Sequence, residues 1–170
     1  GIQISVRQMN HIERDLENNV ATVGGGVIVA EFIDALWKAG KRTATGNCDC
    51  VGMMGAGLGG GHGRHQGLHG LLSENIVSAE LVNAEGSLRT VSPTELPELY
   101  WALRGAGHDF GVVVEAKLKI YDQQDADLWT NADYYYSDKD LETVFAFLEA
   151  YRDVQPPEMT LFASFTNNVD

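Results

Sequence analysis

The sequence is short of positive charge. Twelve lysines and arginines stand against 24 aspartates and glutamates, a formal net charge of −12. A surface that grips nucleic acid or an anionic membrane needs clustered cations, so neither partner is expected. No apolar run approaches the roughly 18 residues of a membrane-spanning helix. Cysteine is scarce as well. Cys48 and Cys50 are the whole supply, too close together for an ordinary structural disulfide, and they assign no redox compartment. No signal peptide is recognisable, and position 1 is glycine, so the natural N-terminus is expected upstream and the cellular location is not assigned. What is present supports a real core: 44% of the 170 residues are apolar, enough for one domain, or one domain and part of another.

Glycine is the residue in excess, and it is concentrated. Ten of the 19 glycines fall between Gly46 and Gly70, together with both cysteines and three of the five histidines. Glycine gives up more backbone freedom on folding than any other residue, so this density is costly. It is tolerated where the backbone turns repeatedly or lies against something closely. A backbone pressed on a flat or phosphorylated ligand explains the clustering better than turning alone, because bare N–H groups can then face the ligand.

The rest of the chain reads as mixed α and β. Alternation at Ile2, Ile4 and Val6 predicts a strand over 2–6, and residues 20–23 predict a second. Gly24 to Gly26 read as a turn. Val29, Phe32, Ile33 and Leu36 recur at helical spacing, with Gly40 as the stop. Beyond the glycine stretch, residues 75–84 and 88–91 predict two strands joined by a hairpin turn at 84–87. Ser92-Pro93-Thr94-Glu95 carries the signature of a helix start, followed by an apolar face of Leu96, Leu99, Tyr100 and Leu103. Residues 110–120 predict a long strand with Val112, Val114, Ala116, Leu118 and Ile120 on one side. Composition turns acidic at 122–127, a linker signal. A strand over 128–136, a helix capped by Ser137 and a strand over 160–166 are predicted after it. That order stops at residue 170 with an unpaired edge, which implies that the natural C-terminus also lies further on.

Several short motifs compete for the glycine stretch. Gly55-Ala56-Gly57-Leu58-Gly59-Gly60 has the letters of a dinucleotide fingerprint, but the fingerprint requires a helix immediately after it, and more glycine follows. His62, His65 and His69 with Cys48 and Cys50 suggest zinc ligands, a reading that needs a helix the glycines oppose. Cys48-x-Cys50 stays open among a redox pair, a metal pair and packed small apolar side chains, the commonest state of free cysteine. A module that binds a partner and no cofactor remains the alternative.

Longer blocks carry a resemblance. Gly46-x-Cys48-x-x-Val51-Gly52, then Gly59-Gly60-Gly61-His62-Gly63, then Gly70-Leu71-Leu72-Ser73-Glu74-Asn75 resembles the second half of a flavin-binding domain. The block from Tyr100 to Val113 resembles the one that closes the same domain. The family is the FAD-linked oxidases of the vanillyl-alcohol oxidase/PCMH type, nearest to the berberine bridge enzyme-like members and to secondary metabolism. The resemblance covers residues 1–121 and implies an α+β fold: the second subdomain of a PCMH-type FAD-binding domain, a mixed or antiparallel sheet with flanking helices. Residues 122–170 would begin an α+β substrate domain.

The resemblance also implies roles. FAD is the cofactor, no metal is expected, and a small organic substrate and O2 are the reactants. Cys48 occupies the position that forms a thioether to the flavin in bicovalent members. Val51, Gly52, Gly55, Ala56, Gly57, Gly59 and Gly60 would line the flavin, Asn75 and Val77 would run beside it, and Gly111, Val112 and Val113 would meet the adenine through main chain. No catalytic residue is identified. Two departures stand out: Ala56 replaces the histidine usual in plant members, and Gly107-His108-Asp109 replaces the usual Gly-Gly-Asn. The family's pyrophosphate loop would precede residue 1, and its catalytic base would follow residue 170.

Overall fold

A computed structural model of the chain describes residues 1–124 and 130–165. Its centre is a five-stranded sheet, antiparallel throughout. The strands are β1 (Ile12–Asp15), β2 (Val20–Gly24), β4 (Ile76–Val82), β5 (Leu88–Val91) and β6 (Val112–Lys119). Their order in space is β1-β2-β6-β4-β5. A separate pair joins β3 (Lys41–Arg42) to β7 (Tyr121–Asp122). The core gathers Ala21 and Val23 from β2, Leu81 from β4, Leu118 from β6, and Phe32 and Leu36 from α1 (Val29–Trp37). This is the mixed α+β architecture that the sequence implies.

The N-terminal stretch corrects the expectation. Residues 2–6 form no strand, and Ile2 and Ile4 are exposed. The chain instead runs against the triple glycine. Gly24 donates its N–H to the His11 carbonyl and Gly26 to that of Met9. A Cβ on Gly24 would lie 2.1 Å from the Met9 oxygen, on Gly25 2.2 Å from the Val113 oxygen, and on Gly26 2.1 Å from the Val6 oxygen. The three glycines are therefore a contact surface for two backbone segments as well as a turn. β1 escapes sequence reading because only Ile12 is partly buried there, so its composition does not alternate. Pairing with β2 defines it.

The long strand also differs in phase. In β6 the buried residues are Val113, Ala116 and Leu118, with Val112 and Val114 only half-buried. The register steps from Glu80↔Glu115 to Leu81↔Val113, which leaves Val114 as an extra residue. A β-bulge of this kind shifts the side-chain alternation from there on. On its other edge β6 continues its pairing with β2, where the Val114 carbonyl accepts from Gly25 N at 2.7 Å. A second irregularity leaves Val77 unpaired in β4, between Ile76↔Leu118 and Ser78↔Lys117.

Helix α4 (Pro97–Ala106) starts later than Ser92 suggests. The Ser92 hydroxyl accepts from the backbone N–H groups of Thr94 and Glu95, and Ser92 N donates to the Glu95 carbonyl. That closes a turn. Leu96 then takes a left-handed conformation (φ 53°), and Pro97 opens the helix with the φ it already has. Ser137 does cap, through Asp140, and α5 (Leu141–Tyr151) follows. Residues 130–136 and 160–165 contain no strand, while residues 128, 129 and 166 lie outside the described residues. Ile33 is off the core face and exposed.

Phe32 is fully buried among β2, β4 and β6 side chains. Phe32→Ala is expected to cost about 3–5 kcal/mol of unfolding free energy, read from the shift in a urea midpoint at unchanged slope.

Candidate cofactor site

The glycine stretch is not one loop. It contains two short helical turns, α2 (Met53–Gly57) and α3 (Gln66–His69), linked by the bends at Gly60 and Gly61. Its entry is laced to the start of α1: Val29 N donates to Val51 O, Ala30 N to Asp49 O, and Met53 N to Val27 O. Its far side is tied to the turn after α4. Gly107 N donates to Leu58 O, and His108 Nε2 lies 2.9 Å from Gly55 O, so that nitrogen carries the proton.

The glycines divide into two groups by what a Cβ would meet. In one group the chain itself requires glycine. A Cβ on Gly63 would sit 1.7 Å from the Thr45 carbonyl oxygen, on Gly67 2.2 Å from the Pro157 oxygen, and on Gly61 2.6 Å from Leu72, where φ is also +78°. Gly57 meets Leu72 and Gly59 meets His108 at ordinary to tight distances. In the other group it does not. A Cβ on Gly52 or Gly55 meets nothing within 4 Å, and on Gly46 only ordinary contacts with Val29 and Ala56. None of these three has a positive φ. They flank Cys48 and Val51, both exposed. Internal packing does not account for glycine here, whereas a close external surface would. This open backbone fits a flat cofactor lying against it.

The other expected residues are placed differently. Asn75 is buried and already engaged: Nδ2 donates to the His69 and Leu71 carbonyls, and Oδ1 accepts from the Tyr121 hydroxyl at 2.7 Å. A Cβ on Gly111 would lie 2.4 Å from Val82 O, and φ is +148°, so its glycine serves the β4 contact. Val113 points into the core, which leaves Val112 and the main chain for any ligand. Gly60, with φ +111°, takes a bend that glycine tolerates, and Ala56 is half-buried beside Gly46.

Residues outside the predicted set hold the far end of the stretch. The rings of His69 and Tyr121 stack with centroids 3.8 Å apart and planes 6° from parallel. Burial, and secondarily the charge on Arg42, holds His69 below the ordinary imidazole range, while burial pushes the Tyr121 phenol up. His69 Nε2 is buried with no hydrogen-bond partner among the described residues. Periodicity offers no signal for a contact between residues 69 and 121. His108, the departure from the usual Gly-Gly-Asn, was visible in sequence, but its bond to the Gly55 carbonyl was not. Among the described residues no three His, Cys, Asp or Glu side chains group as metal ligands. None of the described helices is long and apolar enough to cross a membrane.

A cavity of about 460 Å³ opens beside Gly46 and Asp49, one on each side of Cys48. None of the residues expected at the flavin lines it.

The chain resembles known flavoproteins. Residues 1–92 match the family described as "FAD binding domain". The chain is 40% identical over 163 residues to the FAD-linked oxidoreductase azaL of Aspergillus niger, covering 96% of this chain and 34% of that protein. It therefore spans about a third of the length of this curated relative. Among solved structures it resembles 6-hydroxy-D-nicotine oxidase of Arthrobacter nicotinovorans. The TM-score is 0.67 at 42% identity, over 68% of this chain and 26% of that one. It also resembles BBE-like 1 of Physcomitrella patens, with a TM-score of 0.66 at 33% identity over 68% and 26% of the two chains.

Two measurements check the site's internal design. Gly63→Ala must force the Thr45 backbone away and is expected to cost more than about 2 kcal/mol, whereas Gly55→Ala, in a helical turn with open space, should be neutral or stabilising by up to about 1 kcal/mol. Their urea midpoints should separate accordingly. His69 supplies a pH signature. Its folded pKa is depressed from 6.5, so its contribution is present above that value and is lost as pH falls below it, where the unfolded chain binds the proton more readily. Between about pH 7 and pH 5 the wild-type midpoint should fall more steeply than that of His69→Phe, which keeps a ring against Tyr121 but does not titrate.

Proposed function

The chain belongs to the FAD binding domain family, and on that premise we propose that the protein is an FAD-dependent oxidase whose flavin site this chain supplies in part. The supporting observation is the patch at Gly46, Gly52 and Gly55: glycine where this chain's own packing does not require it, next to an exposed cysteine. FAD, when bound, takes a hydride from a substrate carbon and passes the electrons to O2. The relatives' names include oxidoreductases and oxidases, which supports the class.

The chain's own residues do the holding. Gly46, Gly52 and Gly55 let the backbone approach a flat ring system with Val51 against it. The bonds from Val29 and Ala30 to the entry segment, and from Met53 back to the Val27 carbonyl, set the height of that surface. His108 holds the Gly55 carbonyl, so the rim of α2 is fixed from behind. Cys48 is a free, exposed cysteine on the same segment. We assign it the thioether to the flavin ring. Gly57, Gly59, Gly60, Asn75 and Val77 then shape the floor, and Gly111 and Val112 the main chain at the adenine. Ala56 leaves the site without the imidazole that plant members place there. Substrate binding and the catalytic base fall to the domain that residues 122–170 begin. Those residues offer apolar surface for it: α5 exposes Leu141, Phe145 and Phe147, and Tyr134, Tyr135 and Tyr136 are exposed ahead of it.

Full-length protein should carry flavin absorption near about 450 nm. After acid denaturation and proteolysis, mass spectrometry is expected to find a flavin-bearing peptide that contains Cys48, and Cys48→Ala should abolish that linkage. Full-length protein free of flavin overturns the proposal. Flavin released free, or found elsewhere, overturns the role of Cys48 alone. A linkage at Cys50 would show the motif to be displaced by two residues.

A further inference from the structure

We propose that the cavity beside Cys48 binds a flat aromatic molecule that carries a carboxylate or a comparable anionic group. At about 460 Å³ it falls within the range of small-molecule sites. One wall is apolar: Leu36 is buried, while Ile33 and Trp37 are 44% and 58% exposed although they belong to a core helix. More than half of Trp37 is exposed, and an indole offers a stacking face to an aromatic guest.

The lining also carries cations, against the character of the protein. Three of the chain's 12 Lys and Arg residues, Lys41, Arg42 and Arg64, line the cavity, against one acid, Asp49. In a chain with a net charge of −12 that balance is unusual. The three cations are not equivalent. Lys41 is committed to Asp122 and to Asn19 Oδ1, and Arg42 is also engaged. The Arg64 guanidinium is exposed, and no ion pair or side-chain hydrogen bond holds it among the described residues. Its backbone, in contrast, is held firmly. The Arg64 carbonyl accepts from Thr160 Oγ1 at 2.9 Å, and its neighbour Gly63 is wedged against Thr45. A guanidinium on a pinned backbone and an exposed indole that line the same cavity match the two ends of an aromatic acid. The planar fork of arginine pairs with a carboxylate through two parallel bonds.

The site deepens the flavin reading, on which the identification of the guest as substrate rests. Gly46 and Asp49 line the cavity on either side of Cys48, so a ring held there lies beside the segment assigned to the flavin edge. Binding itself needs no flavin and can be tested apart from it.

The test uses full-length protein, isothermal titration calorimetry and two probes of equal shape, 2-naphthoate and 2-naphthamide. Naphthoate should bind more tightly than the amide. Arg64→Met should weaken naphthoate at least tenfold and leave the amide unchanged, as expected for loss of a charge-assisted pair. Arg64→Lys should recover part of the loss, and Trp37→Ala should weaken both probes. Equal affinity for acid and amide, or a naphthoate affinity indifferent to Arg64→Met, overturns the proposal. So does absence of binding by either probe. Flavin absorbance is recorded on each sample: protein without flavin that still discriminates acid from amide through Arg64 would refute the flavin reading and leave this cavity assignment standing.

Discussion

The site depends on one backbone contact, Gly63 against the carbonyl of Thr45. A Cβ at that glycine would lie 1.7 Å from the oxygen, so no other residue fits without moving the chain. The contact folds the glycine stretch back on the segment that enters it. It sets Arg64 at the cavity, and it leads into α3, whose His69 stacks on Tyr121. The two short helical turns are too brief to hold themselves. Helices of this length are marginal in isolation, and their stability comes from tertiary contacts. The lacing to α1 on one side and to Gly107 and His108 on the other supplies those contacts.

The glycines of this chain do two unlike jobs. At Gly24 to Gly26, Gly63 and Gly67 they let backbone pass backbone, at Gly61 they make room for the Leu72 side chain, and the sheet and the glycine stretch could not close without them. At Gly46, Gly52 and Gly55 they leave space that the chain does not fill. The first job builds a scaffold and the second presents an open surface. The same economy shows in charge. The protein is strongly acidic, yet three of its 12 Lys and Arg residues line one cavity, where two are tied down and one is left available.

Much of this was legible before the structure. The helix of Val29, Phe32 and Leu36, the hairpin of β4 and β5 and the strand β6 follow from periodicity, because burial of one face acts over a few residues. The phase of β6 was not legible. The bulge at Val114 belongs to the pairing of β6 with β4, while the Val114 carbonyl accepts from Gly25, 89 positions earlier. The start of α4 was misread because Ser92 makes the hydrogen bonds of a cap while closing a turn, and Pro97 then opens the helix. β1 lacks alternation and exists through its partner.

By itself the sequence determined the family, the α+β class, the acidic character and the concentration of glycine around Cys48. These are properties of composition, local period and motif, and each is carried by residues near one another in the chain. Tertiary structure alone decided which glycines are consumed by packing and which stay open, that Asn75 is spent on His69, Leu71 and Tyr121, and that Arg64 and Trp37 line one cavity. Most of those outcomes depend on contacts between distant parts of the chain, 18 residues apart for Thr45 and Gly63, 46 for Asn75 and Tyr121, and 96 for Arg64 and Thr160. At such separations a residue type shows what contact it can make, and only the fold supplies its partner.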